Sequence, residues 1–543
     1  MPSDSDILHR LNTLIEVGAA LSSERDIRRL LETILESARK LTRADGGTLY
    51  RLEEQRKLVF EVIRNDSLGY SMGGRSGQPI DFKPIDLFHR DGEPNRSTVV
   101  TYAALSGETV NIADAYNASG FDFAGTRKFD ADNGYRSVSF LTVPMKNGQG
   151  EVIGVLQLIN SINQQGTVAP FGPADQQLVE SLASQAAIAL SNRLLIEQQE
   201  RLFESLIGLI NAAIDEKSPY TGGHCERVPA LTMMLAEAAD RISSGPLASF
   251  EMSEKDRYEL KIAGLLHDCG KITTPVHVVD KATKLQTLFD RVHLLDTRFE
   301  VLIRDQQLAE ARGEISQEEC KRRIDDLVER REQVRTSNIG GEFMDDSKIE
   351  QIRSTAALRW APWGQEERDF LDANELENLT IRKGTLTRGE RDIINHHIVV
   401  TIKMLEALPW PKHLTNVPEY AGGHHERMDG KGYPRGLTRE QMSVQARVMG
   451  IADIFEALTA GDRPYKDGKT LSEAIRILAL MKLENHIDPD LFEVFLREKV
   501  YLRYAKRFLP AHQIDEIDWD SIPGLGPELI RDLRASQGGG RRR

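Results

Sequence analysis

Apolar residues in the first part of the chain recur at helical spacing and then at strand spacing. Leu30, Leu31, Ile34, Leu35, Ala38 and Leu41 fall three to four apart, and residues 5–44 read as two helices. GGTLYRL (46–52) and KLVFEVI (57–63) read as strands separated by a charged turn. Residues 66–98, rich in Gly, Ser, Pro and Asp, read mostly as loop. SVSFLTVPM (137–145) and EVIGVLQLIN (151–160) are two further strands, joined by the turn Lys146–Gly150. The pattern predicts an α+β domain over residues 1–172.

A long helix is predicted over 173–216. Leu178, Leu182, Ala186, Leu190 and Leu194 lie four apart, and Leu195, Leu202, Leu206 and Leu209 continue an apolar stripe. Strict heptads are not evident, yet a parallel partner helix from a second chain would bury the stripe. The expectation is a dimeric signalling helix, hence a homodimer; a helix packed within one chain is the alternative.

Beyond it, residues 205–280 and 385–510 read as all-helical. Segments such as KDRYELKIAGLLHDCG, RDIINHHIVVTIKMLEAL and RVMGIADIFEALT carry the helical period. Between them, 284–382 reads as an inserted helical hairpin. Its first helix carries Leu285, Leu288, Val292, Leu295, Phe299 and Leu302, and its second runs from Ile315 to Val334. Residues 511–543 read as a C-terminal tail.

Composition narrows the partners. A net charge of −13 over 543 residues disfavours a nucleic-acid polymer. The start MPSDSDILHR has neither the cationic nor the apolar part of a signal peptide, and no apolar run is long enough for a membrane span. Three scattered cysteines make no disulfide framework. These features predict a cytoplasmic protein.

The chemistry concentrates late in the chain. Only His9 and His89 of 13 histidines precede residue 200. HDCGK (267–271) sets an imidazole beside a carboxylate; HHERMDGKGYP (424–434) sets two imidazoles together, followed by Glu426 and Asp429. Neutral imidazole and carboxylate suit borderline first-row metals, and a bridging carboxylate suits a multi-metal hydrolase.

HDCGK followed by Pro275, then HHERMDGKGYP with its Gly432-Tyr433-Pro434 triplet, resembles the HD-GYP family of bacterial metal-dependent phosphodiesterases that open cyclic di-GMP. The resemblance covers roughly residues 205–510, with 284–382 far longer than the family's equivalent stretch. It implies an all-α HD-type phosphohydrolase domain whose metal ligands are His224, His267, Asp268, His396, His424, His425 and Asp453. Two or three divalent first-row ions, Fe or Mn foremost, are expected there, with Asp268 bridging. The resemblance also implies that Lys271 touches the scissile phosphate or the leaving group. Arg463 and Lys466 match family positions that hold the second phosphate, and Tyr433 is a candidate for the base. Glu426 is expected to fix an imidazole tautomer. The implied substrate is a cyclic dinucleotide; alternatives are another HD-superfamily substrate or a non-catalytic cyclic dinucleotide receptor.

The N-terminal order of elements resembles a GAF domain, a small-molecule sensor, through SVSFLTVPM, GVLQLIN and the helix PADQQLVESLASQAAIAL. Lys128, Phe129, Asp130 and Asp132 partly fit a motif of cyclic-nucleotide-binding GAF domains, implying a small-molecule ligand at those residues.

Overall fold

The computed structural model describes residues 4–24, 26–217, 223–341, 343–362, 364–461 and 468–538. The chain divides into two units, Met1–Phe203 and Glu204–Arg543. Arg463, Lys466 and residues 539–543 fall outside the described residues.

The first unit is built on an antiparallel sheet. Its strand order is Tyr70–Gly73, Lys57–Asn65, Ala44–Glu53, Val152–Ile162, Phe140–Lys146 and Val110–Ile112. Side chains alternate across a strand, and both faces are apolar. Leu49, Val62, Leu141, Val143, Leu156 and Leu158 meet the helix Ile27–Thr42 and the start of the helix Pro173–Lys217. Tyr50, Leu58, Phe140 and Val155 meet Val99, Val100 and Ala103 of the short helix Val99–Ser106. The predicted strands and helices of this unit are therefore present. The stretch read mostly as loop also holds two short strands, Tyr70–Gly73 and Ile85–Asp86, both paired to Lys57–Asn65.

Asp130 has a structural use. It is buried, accepts hydrogen bonds from Ser137 N (2.8 Å) and Ser137 Oγ (2.7 Å), and takes a third from the Tyr116 hydroxyl (2.7 Å). Lys128 and Asp132 are exposed, and Phe129 meets Tyr70 edge-on. The structure does not bring the four into one pocket, because the one carboxylate buried among them is already satisfied by its own loop.

The second unit is helical. The helices His224–Asp240, Glu254–Leu266, Arg388–Glu406, Val417–Gly422 and Val444–Thr459 surround the histidines. The inserted segment has its own core of Leu285, Leu295, Phe299, Leu327, Val334, Ile352 and Phe370, around the helices Val292–Ala311, Gln317–Asn338 and Asp346–Ala356. Its first helix starts at Val292 rather than at Leu285. Thr283–Asp290 instead forms a turn that leaves Leu288 94% exposed. The buried Lys284 ties the two ends of the segment together by donating to Leu379 O (3.2 Å) and Ile381 O (2.8 Å). Residues 511–538, expected as a tail, are packed: Ile517, Trp519, Ile522 and Leu533 are buried, and Trp519 meets Tyr501 at 6.0 Å. No helix among the described residues is long and apolar enough to cross a membrane.

Candidate metal centre

The helix Glu254–Leu266 ends one residue before the HD doublet. His267 caps it, Asp268 leaves the helical conformation (φ −110°, ψ 12°), and Cys269–Thr273 turns into a 3-10 helix. The sequence reading placed both residues on the helix itself. The break turns the buried Asp268 carboxylate toward groups from three other segments. Gly270 permits it: its N–H donates to Thr401 Oγ1 (2.9 Å), and a Cβ there would lie 2.1 Å from His397 O.

Two clusters meet at Asp268. On one side, His224 Nε2 lies 3.0 Å from Asp268 Oδ2 and 3.3 Å from His267 Nε2, with Asp453 Oδ1 at 3.5 Å. On the other, His397 Nε2 lies 3.2 Å from Asp268 Oδ1 and 3.2 Å from His425 Nε2, and the His424 and His425 rings are 4.1 Å apart. His224, His267 and Asp268 form one group with ligand atoms within 4.8 Å of one another, and His397, His424 and His425 form another.

The protonation pattern tests whether cations fit. His267 Nδ1 lies 2.8 Å from Gly264 O and His424 Nδ1 lies 2.6 Å from Ala421 O; His397 Nδ1 faces Ile394 O in the same way. A carbonyl only accepts, so in each ring Nδ1 carries the proton and Nε2 presents a lone pair. His224 Nδ1 is likewise held by Glu456, at 2.6 Å. On the His397 side a ring lone pair and a carboxylate oxygen thus face each other at 3.2 Å, which is repulsive unless positive charge lies between them. The buried His424 Nε2 and Asp268 Oδ1 have no hydrogen-bond partner among the described residues. The Lys271 ammonium is drawn onto Asp268 Oδ2. Ligands of this kind fit first-row divalent ions.

Charge follows the same layout. Burial opposes ionisation of Asp268, but Lys271, His267 and His224 hold its carboxyl well below the usual range. Burial also works against charging His224, and hydrogen bonds to Asp268 and Glu456 outweigh it, pushing its pKa up to about 9. Burial and the neighbouring His267 lower His424 to about 4, and burial and His424 lower His425.

The DGKGYP segment supports the second cluster. Glu426, buried, accepts from Arg435 N (2.7 Å) and Leu437 N (2.9 Å), folding the loop back on itself. Gly432 sits where a Cβ would lie 2.4 Å from Arg427 N. Tyr433 stacks on His425, with centroids 4.9 Å apart and planes at 24°. Tyr433–Pro434 is a cis peptide.

Comparison with known proteins agrees with this layout. A GAF domain model matches residues 26–190, and two HD domain models match 221–331 and 374–491. The chain is 38% identical over 116 residues to a cyclic di-GMP phosphodiesterase of Pseudomonas aeruginosa, covering 21% of this chain and 27% of that protein. It is 33% identical over 121 residues to a cyclic di-GMP phosphodiesterase of Thermotoga maritima, covering 22% and 32%. It is 42% identical over 81 residues to 3'3'-cGAMP-specific phosphodiesterase 1 of Vibrio cholerae, covering 15% and 19%. The chain carries a GAF domain followed by HD domain segments, and in this it resembles HD-GYP proteins with an N-terminal GAF domain. It spans less than a third of the length of each of these three relatives.

Within the HD segments the structure corrects two expectations. His397, not His396, points to the centre: His396 is exposed, whereas His397 shares the buried face of its helix with Ile398, Thr401, Ile402 and Leu405. Adjacent helical residues diverge by about 100°, so the two cannot exchange places. Glu426 holds backbone N–H groups of its own loop rather than an imidazole. The carboxylate that does hold a ring is Glu456, one turn beyond Asp453 and also bonded to Arg227 Nε at 2.7 Å. Its sequence signal was an acidic residue on the apolar helix VMGIADIFEALT.

Proposed function

We propose that the chain is a metal-dependent phosphodiesterase that hydrolyses cyclic di-GMP to linear pGpG or GMP. The observation that carries this is Asp268, whose two oxygens face separate imidazole clusters at 3.0 Å and 3.2 Å. His224, His267 and Asp453 would hold one ion, His397, His424 and His425 the other, and Asp268 both. Bound there, two ions of Fe or Mn would supply a nucleophile at neutral pH and neutralise charge on the phosphoryl oxygens.

The chain's own residues do the rest. The Nδ1–carbonyl bonds keep the ring nitrogens aimed, so no reorganisation accompanies the reaction. Lys271, which pairs with Asp268 here, would pair with the scissile phosphate where metal charge satisfies that carboxylate. Arg463 and Lys466 are assigned to the second phosphate, and Tyr433, lying along His425, to one wall of the substrate groove. The GAF unit is assigned the sensing of a small molecule, and the protein is read as a cytoplasmic homodimer.

The similarity to a 3'3'-cGAMP-specific enzyme favours a second reading, in which a mixed-base cyclic dinucleotide is the preferred substrate. The test is anaerobic incubation of the full chain, loaded with Fe(II) or Mn(II), with cyclic di-GMP and 3'3'-cGAMP separately, products identified by mass. Linear dinucleotide or mononucleotide from cyclic di-GMP is expected. Binding without turnover of either compound would make the chain a receptor.

A further inference from the structure

The helix Pro173–Lys217 carries a face that the sequence alone did not resolve. Ile188, Leu195, Leu202 and Leu209 lie seven apart and are 50%, 61%, 60% and 69% exposed. Asn192, Gln199, Leu206 and Ala213 lie seven apart between them and are also exposed. Leu178, Leu182, Ala186, Leu190 and Leu194 had masked this heptad in the sequence. Leu182, Ala186 and Leu190 belong to the sheet's core, so they are on a different face.

Assigning Ile188 and its successors to position d and Asn192 and its successors to position a gives an unbroken heptad from Ile188 to Ala213. The flanking e positions are Ala189, Ile196, Phe203 and Ile210; the g positions are Ser191, Gln198, Ser205 and Ala212. None is charged. The five charged residues in this stretch, Arg193, Glu197, Glu200, Arg201 and Glu204, all fall at b, c or f. In a chain that is 28% charged, such a face is unusual.

We infer that this face is a parallel, in-register, two-stranded coiled coil with a second copy of the same chain. This rests on the homodimer reading above and specifies its surface and register. A period of 3.5 keeps a seam against a helix of the same period, and leucine at d favours two strands. Because a, d, e and g are uncharged, an identical copy can approach without like charges meeting. The polar a positions decide orientation. In register, Asn192 meets Asn192 and the two amides bond across the seam. In an antiparallel pair Asn192 would face the level of Leu209, leaving its amide without a partner in an apolar layer.

The test uses the full chain at micromolar concentration, with mass from light scattering. Wild type is expected at twice 61.0 kDa. Leu202→Glu, which sets two carboxylates against each other in the seam, is expected to give monomer with unchanged helical circular dichroism; Glu200→Gln, at b, is expected to stay dimeric. The native cysteines are buried, so Leu195→Cys reports orientation, and an interchain disulfide on mild oxidation is expected. A monomeric wild type would overturn the homodimer reading itself. A dimer that survives both Leu202→Glu and Leu209→Glu would leave that reading standing and remove the seam. A dimer in which Leu195→Cys fails to link, while Leu195→Cys/Leu206→Cys does, would make the pair antiparallel.

Discussion

His224 donates from Nδ1 to Glu456 across 2.6 Å, while its Nε2 faces Asp268 at 3.0 Å. One imidazole is thus held between two carboxylates, and Arg227 fixes the outer one from its other side. Among the described residues, His397 and His424 of the second cluster rest instead on the carbonyls of Ile394 and Ala421. A carboxylate behind a ring makes it a more basic ligand than a carbonyl does.

Glu456→Gln should therefore weaken the ion beside His224 by about 10- to 100-fold, the usual effect of removing such a support. The ion beside His397 should be affected far less. Competition with a calibrated chelator, read as two separate dissociation constants, checks this.

Asp268→Ala and Lys271→Ala should part company. Losing the shared carboxylate should remove both metal and turnover. Losing the ammonium should remove rate but keep metal, because Lys271 offers no lone pair while it is charged. Elemental analysis alongside a turnover assay separates the two; a Lys271→Ala protein at wild-type rate would remove the phosphate role assigned to it.

Gly270→Ala should destabilise the second unit by about 1–3 kcal/mol, the range for overpacking. The new methyl would meet His397 O and Thr401 N at 2.1 Å and 2.6 Å, so the helix carrying His397 must retreat. Denaturant unfolding and metal content of the same preparation should fall together.

Acid should unfold the metal-free protein through His424 and His425. Both are held neutral in the fold, His424 at about 4, chiefly by burial. The unfolded chain takes up their protons near pH 6.5, so the stability they allow is complete above 6.5 and is lost as pH falls toward 4. The loss from His424 alone is on the order of 3 kcal/mol. Chelator-treated protein unfolded at a series of pH values should show it, and His424→Gln should flatten the curve.

Local signals made most of the fold legible. The strands 46–52 and 57–63 and the helix after Pro173 were marked by period and by turn residues, which act over a few neighbours. The short strands within 66–98 were not, because Tyr70–Gly73 and Ile85–Asp86 exist only through pairing with Lys57–Asn65. In the site, the doublets His267–Asp268 and His424–His425 declared themselves. The motif alone points to His396, whereas the spacing of Ile398, Thr401, Ile402 and Leu405 sets His397 on the inward face of that helix. The roles of Glu456 and Asp130 are not legible from their neighbours in sequence, for one reason. What each carboxylate does depends on a partner brought to it by the fold: His224 from a distant helix for Glu456, the Tyr116 ring and the Ser137 turn for Asp130.

The carbonyls behind His267, His397 and His424 belong to Gly264, Ile394 and Ala421, each three residues earlier in the chain. Every amino acid brings the same carbonyl. Sequence drift at those three positions can alter packing, but it cannot delete the acceptor that orients the ring. Of the four supported imidazoles, only His224 leans on something a single codon change can take away. Among variants of this protein, Glu456 is the position through which natural variation can retune the affinity for any ion held beside His224.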